Sequence, residues 1–253
     1  MRLAVWGGIL LIAITVAELG CAAVGCPPAC AGRDLRQTDL VAADLAGADL
    51  AGANLSGPFQ QGVDLSGANL AGADLRGANL AGADLSYADL RGTDLRQADL
   101  RWVNLTGAKL DHSSQLDDKW RLVWQIVNGG AIGSDLSGVD LTEANLWGAN
   151  LRGTNLDGAN LKWADLSQSD LTRATLQHSQ LDAVNLSGAN LYQANLNGAN
   201  LRWVNLQNSN LTQASLANVD ARGVWLTGAV LDEIDLYGTR LKGAIMPDGT
   251  RQR

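Results

Sequence analysis

The stretch "LAGADLRGANLAGADL" (Leu70–Leu85) decides the fold. Leucines stand at Leu70, Leu75, Leu80 and Leu85, and everything between them is small or polar. In an α-helix five residues turn through about 500°, so leucines at this spacing step about 140° around the axis and share no face. In an extended strand an odd spacing throws them alternately to opposite sides. A chain that turns a corner every five residues escapes both problems. Each side then sends one Leu and one small residue inward, and successive turns of the chain stack.

The period is sustained outward from this stretch. Every fifth position from Leu35 to Leu110 is Leu except Gln60, and every fifth position from Leu136 to Leu241 is Leu except Ala221. Two residues before each Leu sits Ala or another small residue in nearly every repeat, and the residue just before it is usually Asp or Asn. Asp and Asn side chains bond nearby backbone at corners, and a Gly two residues after the Leu allows positive φ there. Pro58, Phe59 and Gln60 replace the small, polar and Leu residues of one repeat, which predicts a bulged corner.

The pattern "ADLRGANLAGADL" closely resembles the A(D/N)LXX motif of the pentapeptide repeat proteins, over roughly residues 33–247. The resemblance implies an all-β solenoid, a right-handed quadrilateral β-helix with four pentapeptides per coil, here interrupted by one short α-helical insertion. It resembles exported cyanobacterial members that carry such an insertion. Residues twenty apart then lie one above another. Asp44, Asp64 and Asp84 form one such column, about 4.8 Å apart. A hard cation there would need about six to eight oxygens, which nothing nearby guarantees.

The insertion, 111–133, resets the frame, because Leu110 and Leu136 are not a multiple of five apart. Asp117 or Asp118 can cap a helix and Asn128-Gly129 can end it, with Trp120, Val123, Trp124 and Val127 at helical spacing between them. The stripe either covers a coil flank or binds a partner through Trp120 and Trp124. Near the C-terminus, Pro247 and the Pro-Asp-Gly turn are expected to direct the chain away and stop strand addition at the open edge. These breaks divide the chain into a leader (1–31), a first stack (32–110), the insertion, a second stack (134–247) and a tail (248–253).

The leader reads as a signal peptide or an N-terminal anchor. Residues 3–17 are an apolar run preceded by Arg2, the length of a signal h-region and short for a span. Small residues at Ala29 and Ala31 mark a cleavage site, and Ala23 ends an earlier one. Membrane anchoring by residues 3–17 or lipid attachment at Cys21 is the alternative to cleavage. Cutting after Ala31 removes Cys21, Cys26 and Cys30, the only cysteines, and leaves a fold without disulfides.

Chemistry is sparse. His112 and His178 have no metal-ligand company, and no catalytic residue, cofactor site or metal set is assigned. The net charge of −7 argues against nonspecific nucleic-acid or anionic-membrane binding. One feature stands out in the second stack. Reading by twenties, the residue after each Leu-type position is Thr142, Lys162, Asp182, Arg202, Arg222 and Lys242, and Trp163 and Trp203 follow Lys162 and Arg202. The pentamer "RWVNL" occurs at 101–105 and again at 202–206. Lys162, Trp163, Arg202, Trp203, Arg222 and Lys242 are therefore the candidate interaction patch, Arg and Trp being a common interface composition.

The expected function is that of an exported, non-enzymatic protein-binding or scaffold solenoid of the periplasm or thylakoid lumen. Its partner is an unidentified protein; self-association stays open, nucleic acid is not expected, and no membrane span survives cleavage of the leader. The alternative is an acidic DNA mimic that binds a type II topoisomerase. That role belongs to some pentapeptide repeat proteins, and the Asp-rich first stack agrees with it.

Overall fold

The computed structural model describes residues 30–36, 40, 43–57 and 62–253. Residues 1–29, which hold most of the leader with Cys21 and Cys26, lie outside the described residues, as do Pro58, Phe59 and Gln60 and their expected bulge.

Where the backbone donors of one repeat go explains the coil. Around Leu65, Leu65 N–H reaches the Asp84 carbonyl at 2.8 Å and Gly67 N–H the Ser86 carbonyl at 2.7 Å, both one coil on. Asn69 N–H returns to the Ala48 carbonyl of the preceding coil at 2.9 Å, and Ala68 N–H closes the corner on Leu65 at 3.0 Å. The remaining donor, Ser66 N–H, is taken by the Asp64 carboxylate at 2.9 Å. Nothing is orphaned, and this is why Asp or Asn precedes the Leu: its side chain satisfies the one amide the ladder cannot reach. Gly67 sits at φ +65°, the positive φ a type II turn needs at its third residue.

Parallel bridges join residues twenty apart, for example Asp44 to Asp64, Asp64 to Asp84 and Asp84 to Asn104. Four pentapeptides therefore make one coil of a quadrilateral β-helix, right-handed as the resemblance implies. Leu65, Leu70, Leu75, Leu80 and Leu85 are at most 1% exposed, and the small residues two before them share the same interior. Each enclosed Leu contributes about 1.5–3 kcal/mol, offsetting the ordering entropy of the corners. Thr93 and Ser169 take the small position with buried hydroxyls that return to a Leu carbonyl, Thr93 to Leu70 at 2.8 Å and Ser169 to Leu166 at 2.7 Å.

The coil reaches back to Cys30, which occupies a Leu-type position, is 4% exposed, and donates its N–H to the Asp49 carbonyl at 2.8 Å. Cys30 is disulfide-bonded. A disulfide-free fold therefore holds only for a chain cut after Ala31, and that cut would also remove the first residue of the core ladder.

The joint between the stacks is built by α1 (Asp118–Gly129). Before it the chain completes another side with one extra residue, Asp94 pairing with Gln115 and Leu116 entering the core. Asp117 is the N-cap residue in extended conformation, yet its side chain makes no capping bond. Gly130, at φ +71°, ends the helix. Trp120, Val123 and Ile126 are buried against the coil. Three polar side chains of α1 replace ladder partners: Trp124 Nε1 donates to the Ala108 carbonyl at 2.7 Å, Asn128 Nδ2 to the Leu105 carbonyl at 3.0 Å, and Arg121 Nη2 to the Ser114 carbonyl at 2.7 Å. Gly107 N–H, whose counterparts elsewhere reach the next coil, donates to Asn128 Oδ1 instead.

At the far end the chain does not turn away as expected. It reverses through Pro247-Asp248-Gly249 and pairs antiparallel with the last coil, Ile245 opposite Arg251. Gly243 N–H donates to the Gln252 carbonyl at 2.9 Å, and Gln252 N–H returns to Ala244 at 2.9 Å. The open edge supplies unpaired backbone groups, and the chain's own tail takes some of them.

Candidate functional site

One side of the coil carries the candidate patch, and its geometry follows from the corner conformation. Trp163 and Trp203 occupy the turn position that needs positive φ, at φ +59° and +62°, where glycine usually sits. A side chain there projects off the corner, so the rings stand outside the ladder, 54% and 65% exposed. The ladder runs beneath them: Trp163 N–H to the Asp182 carbonyl at 3.1 Å, Ala183 N–H to Arg202 at 2.9 Å, Trp203 N–H to Arg222 at 3.2 Å and Gly223 N–H to Lys242 at 3.1 Å. Lys162, Arg202, Arg222 and Lys242 accordingly fall in one row beside the tryptophans.

The first copy of "RWVNL" joins this face. Trp102 N–H donates to the Glu143 carbonyl at 2.8 Å, and its indole Nε1 crosses to the Trp163 carbonyl at 2.9 Å. Arg101 lies 5.6 Å over the Trp102 ring and 3.8 Å from the Glu143 carboxylate. The row thus begins at Arg101 and Trp102 in the first stack and continues through Trp163 to Trp203. Between the stacks, among the described residues, that single backbone hydrogen bond replaces the regular ladder on this side.

The cations differ in how far they are committed. Asp182 lies 3.8 Å from Lys162 and 3.6 Å from Arg202, and it also accepts from Asn200 at 2.8 Å. Arg222 is held by a forked pair to Asp220, with Nε and Nη2 donating at 2.7 and 2.6 Å. Those hydrogen bonds hold the Asp220 carboxyl below its usual range and the guanidinium above its own. The same Asp-Leu-Arg fork recurs at Asp74/Arg76, Asp89/Arg91, Asp94/Arg96 and Asp99/Arg101. Lys242 has no carboxylate within ion-pair distance among the described residues.

Trp203 lies over Gly223: a Cβ built on that glycine would come within 2.6 Å of the indole ring. The same device places Tyr87 over Gly107 and His178 over Gly198, a large corner residue filling the gap left by the glycine of the next coil. An open cleft of about 520 Å³ follows from it, lined by Arg202, Trp203, Arg222, Lys242 and Arg251, with Gly223 and Gly243 at its floor. Reading by twenties brings Lys162, Trp163, Arg202, Trp203, Arg222 and Lys242 together but misses Trp102 and Arg251. Trp102 arrives through the frame reset and Arg251 through the returning tail.

Trp120 and Trp124 are placed elsewhere. Trp120 is 7% exposed, and Trp124 is half-buried with its indole bonded to Ala108, so both rings face the coil at the joint. His112 and His178 are exposed and apart. Among the described residues no cluster of three or more His, Cys, Asp or Glu is arranged to hold a metal ion. No described helix is long and apolar enough to cross a membrane.

A family model described as pentapeptide repeats, in eight copies, matches residues 30–57, 61–97, 134–173, 169–208 and 214–247. The chain belongs to the pentapeptide repeat family. No curated protein matches it significantly. Among solved pentapeptide repeat proteins, it is similar to HetL, involved in heterocyst differentiation regulation in the cyanobacterium Nostoc sp. strain PCC 7120. Identity there is 31%, over 87% of this chain and 83% of that one, with a TM-score of 0.37. Rfr23 from the cyanobacterium Cyanothece 51142 is 33% identical over 44% of this chain and 90% of its own, with a TM-score of 0.40. A pentapeptide repeat protein of the Arabidopsis thaliana thylakoid lumen is 23% identical over 49% and 72%, with a TM-score of 0.35.

Proposed function

We propose that this pentapeptide repeat protein is exported and non-enzymatic, and that it binds or holds a protein partner through the face of Lys162, Trp163, Arg202, Trp203, Arg222 and Lys242. One observation carries the reading: two tryptophans more than half exposed stand in one row among cations, on a coil whose ladder fixes their spacing. Exposed aromatic and Arg side chains on a pre-ordered surface give large contact area at little ordering cost. The acidic DNA-mimic alternative meets Lys and Arg along this face, which a basic partner would repel, and it is not carried further.

Export to the periplasm or a thylakoid lumen rests on the leader, and the disulfide at Cys30 suits an oxidising compartment. Cleavage after Ala23, the earlier of the two small-residue sites, would keep Cys30 in the ladder. N-terminal sequencing of the processed protein decides between that cut and Gly32 as the first residue.

The interaction face is tested by a photoreactive amino acid placed at Trp163, Trp203 or Gln193 in the native cell. Gln193 is on another side of the coil. A crosslinked species of one defined mass is expected from Trp163 and Trp203 and not from Gln193. Equal crosslinking from all three positions would sink the reading.

A further inference from the structure

We propose that the C-terminal end of this face is a groove for an acidic peptide segment of the partner, its carboxylates seated by Lys242 and Arg251 against the Trp203 ring. The proposal rests on the protein-binding reading of the same face and adds the chemistry of what is bound.

The groove is built by two departures from the repeat around two ordinary corner glycines. Gly223 and Gly243 stand at successive corner positions and leave the floor low. Over Gly243 even an added Cβ would find nothing nearer than Arg251 Nη2 at 3.8 Å and the Gly223 nitrogen at 3.9 Å. Trp203 closes one wall by lying over Gly223. The returning tail closes the other, because pairing Arg251 with Ile245 brings a cation to the top of the column. Lys242 and Arg251 also line the adjoining cleft with Arg253.

Charge decides the occupant. Arg222 is forked to Asp220 and Arg202 lies 3.6 Å from Asp182, so both are partly neutralised. Lys242 and Arg251 have no ion-pair carboxylate among the described residues and are exposed. Two uncommitted cations on an otherwise acidic chain of net charge −7 complement a short acidic segment. Three coils at the strand spacing span about 15 Å, the reach of roughly four or five extended residues. A nucleic-acid strand fits worse, since affinity for it grows with the number of phosphates neutralised, and the rest of the chain repels it.

The test is a fluorescence-anisotropy titration of the full chain with a short fluorescein-labelled Glu-rich peptide at low salt, with oligothymidylate of equal charge as a second probe. The peptide should bind saturably and weaken by about tenfold or more with Lys242→Glu plus Arg251→Glu. Arg173→Glu, on another side, should change affinity by less than about twofold. Lys242→Gln plus Arg251→Gln should weaken binding in the same direction, and an unchanged unfolding midpoint shows that the fold is intact. Absence of saturable binding, equal weakening by Arg173→Glu, or tighter binding of the oligothymidylate would each overturn the proposal. The crosslinking experiment at Trp163 and Trp203 is independent of the peptide. Crosslinks without peptide binding would remove the acidic groove and leave the protein-binding face.

Discussion

The same pentamer, "RWVNL", stands twice on one face and is used in two ways. At 101–105 the coil above is interrupted, and Trp102 spans the gap: its indole bonds the Trp163 carbonyl and Arg101 packs over its ring. At 202–206 the coil above is regular and offers Gly223, so part of the Trp203 ring covers that glycine and the rest is shown to solvent. Identical residues in the identical corner conformation become a fastening in one place and a surface in the other. What differs is the residue next along the column, Glu143 against Gly223. In a solenoid nearly all contacts run between adjacent coils, so a side chain's role is set by the coil it meets.

The joint itself gives the largest predicted effect. Trp120 is buried between α1 and the coil, and Trp120→Ala should cost about 3–5 kcal/mol in urea unfolding, enough to separate the melting of the two stacks. A loss below about 1 kcal/mol would show that α1 is an ornament on a rod that holds without it.

Gly223→Ala sharpens the contrast at the other tryptophan. The new Cβ would meet the Trp203 ring at 2.6 Å on a backbone at φ +71°. The ring must lift, and the corner is strained by about 1–2 kcal/mol. Trp203 fluorescence should shift to longer wavelength as the ring swings into water, while the environment of Trp102 is untouched.

Acid distinguishes the stacks more gently. Forks from Arg76, Arg91, Arg96 and Arg101 hold Asp74, Asp89, Asp94 and Asp99 below the usual carboxylate range, against an opposing cost of burial. A carboxyl depressed in the fold adds stability that is complete above its unfolded value of about 4 and is lost as pH falls through the depressed value. The second stack has one such fork, Asp220 with Arg222, and relies more on amides, as where Asn205 donates to Asn185 at 3.1 Å and Asn210 to Asn190 at 3.1 Å. Hydrogen exchange below pH 4 should therefore open the forked corners of the first stack, at Asp89, Asp94 and Asp99, before the amide-paired corners of the second, at Asn185, Asn190, Asn205 and Asn210. Arg91→Gln with Arg96→Gln should move that opening to higher pH. Because the guanidinium ends are exposed, each fork contributes little, and added salt should blunt the difference.

The interior was legible from Leu70, Leu75, Leu80 and Leu85 because the period of five is the fold: each repeat repeats its hydrogen bonds as well as its residues. Asp64 and Asn69 could be assigned to corners for the same reason. The rest depended on breaks in that period. Nothing local in Trp102 says that it lies on the face of Trp203, since 101 residues separate them and the coil repeats every twenty. Only the frame reset around α1 aligns them. Arg251 reaches the cleft through an antiparallel return that Pro247-Asp248-Gly249 suggested would lead away. Trp120 and Trp124 fit either a coil cover or a partner site in the sequence alone, and only the structure shows Trp120 in the core and Trp124 bonded to Ala108.

One pentamer fastens the rod and its copy stands on the surface. The most direct measurement compares Trp102→Ala with Trp203→Ala in parallel, reading the urea unfolding midpoint and the crosslinking yield from Trp163. Trp102→Ala should lose about 2 kcal/mol, from part of a ring and one hydrogen bond. Trp203→Ala should stay within about 0.5 kcal/mol of the unaltered chain and lose most of the crosslinked species. Equal loss of stability in both, or crosslinking unchanged by Trp203→Ala, would contradict the account.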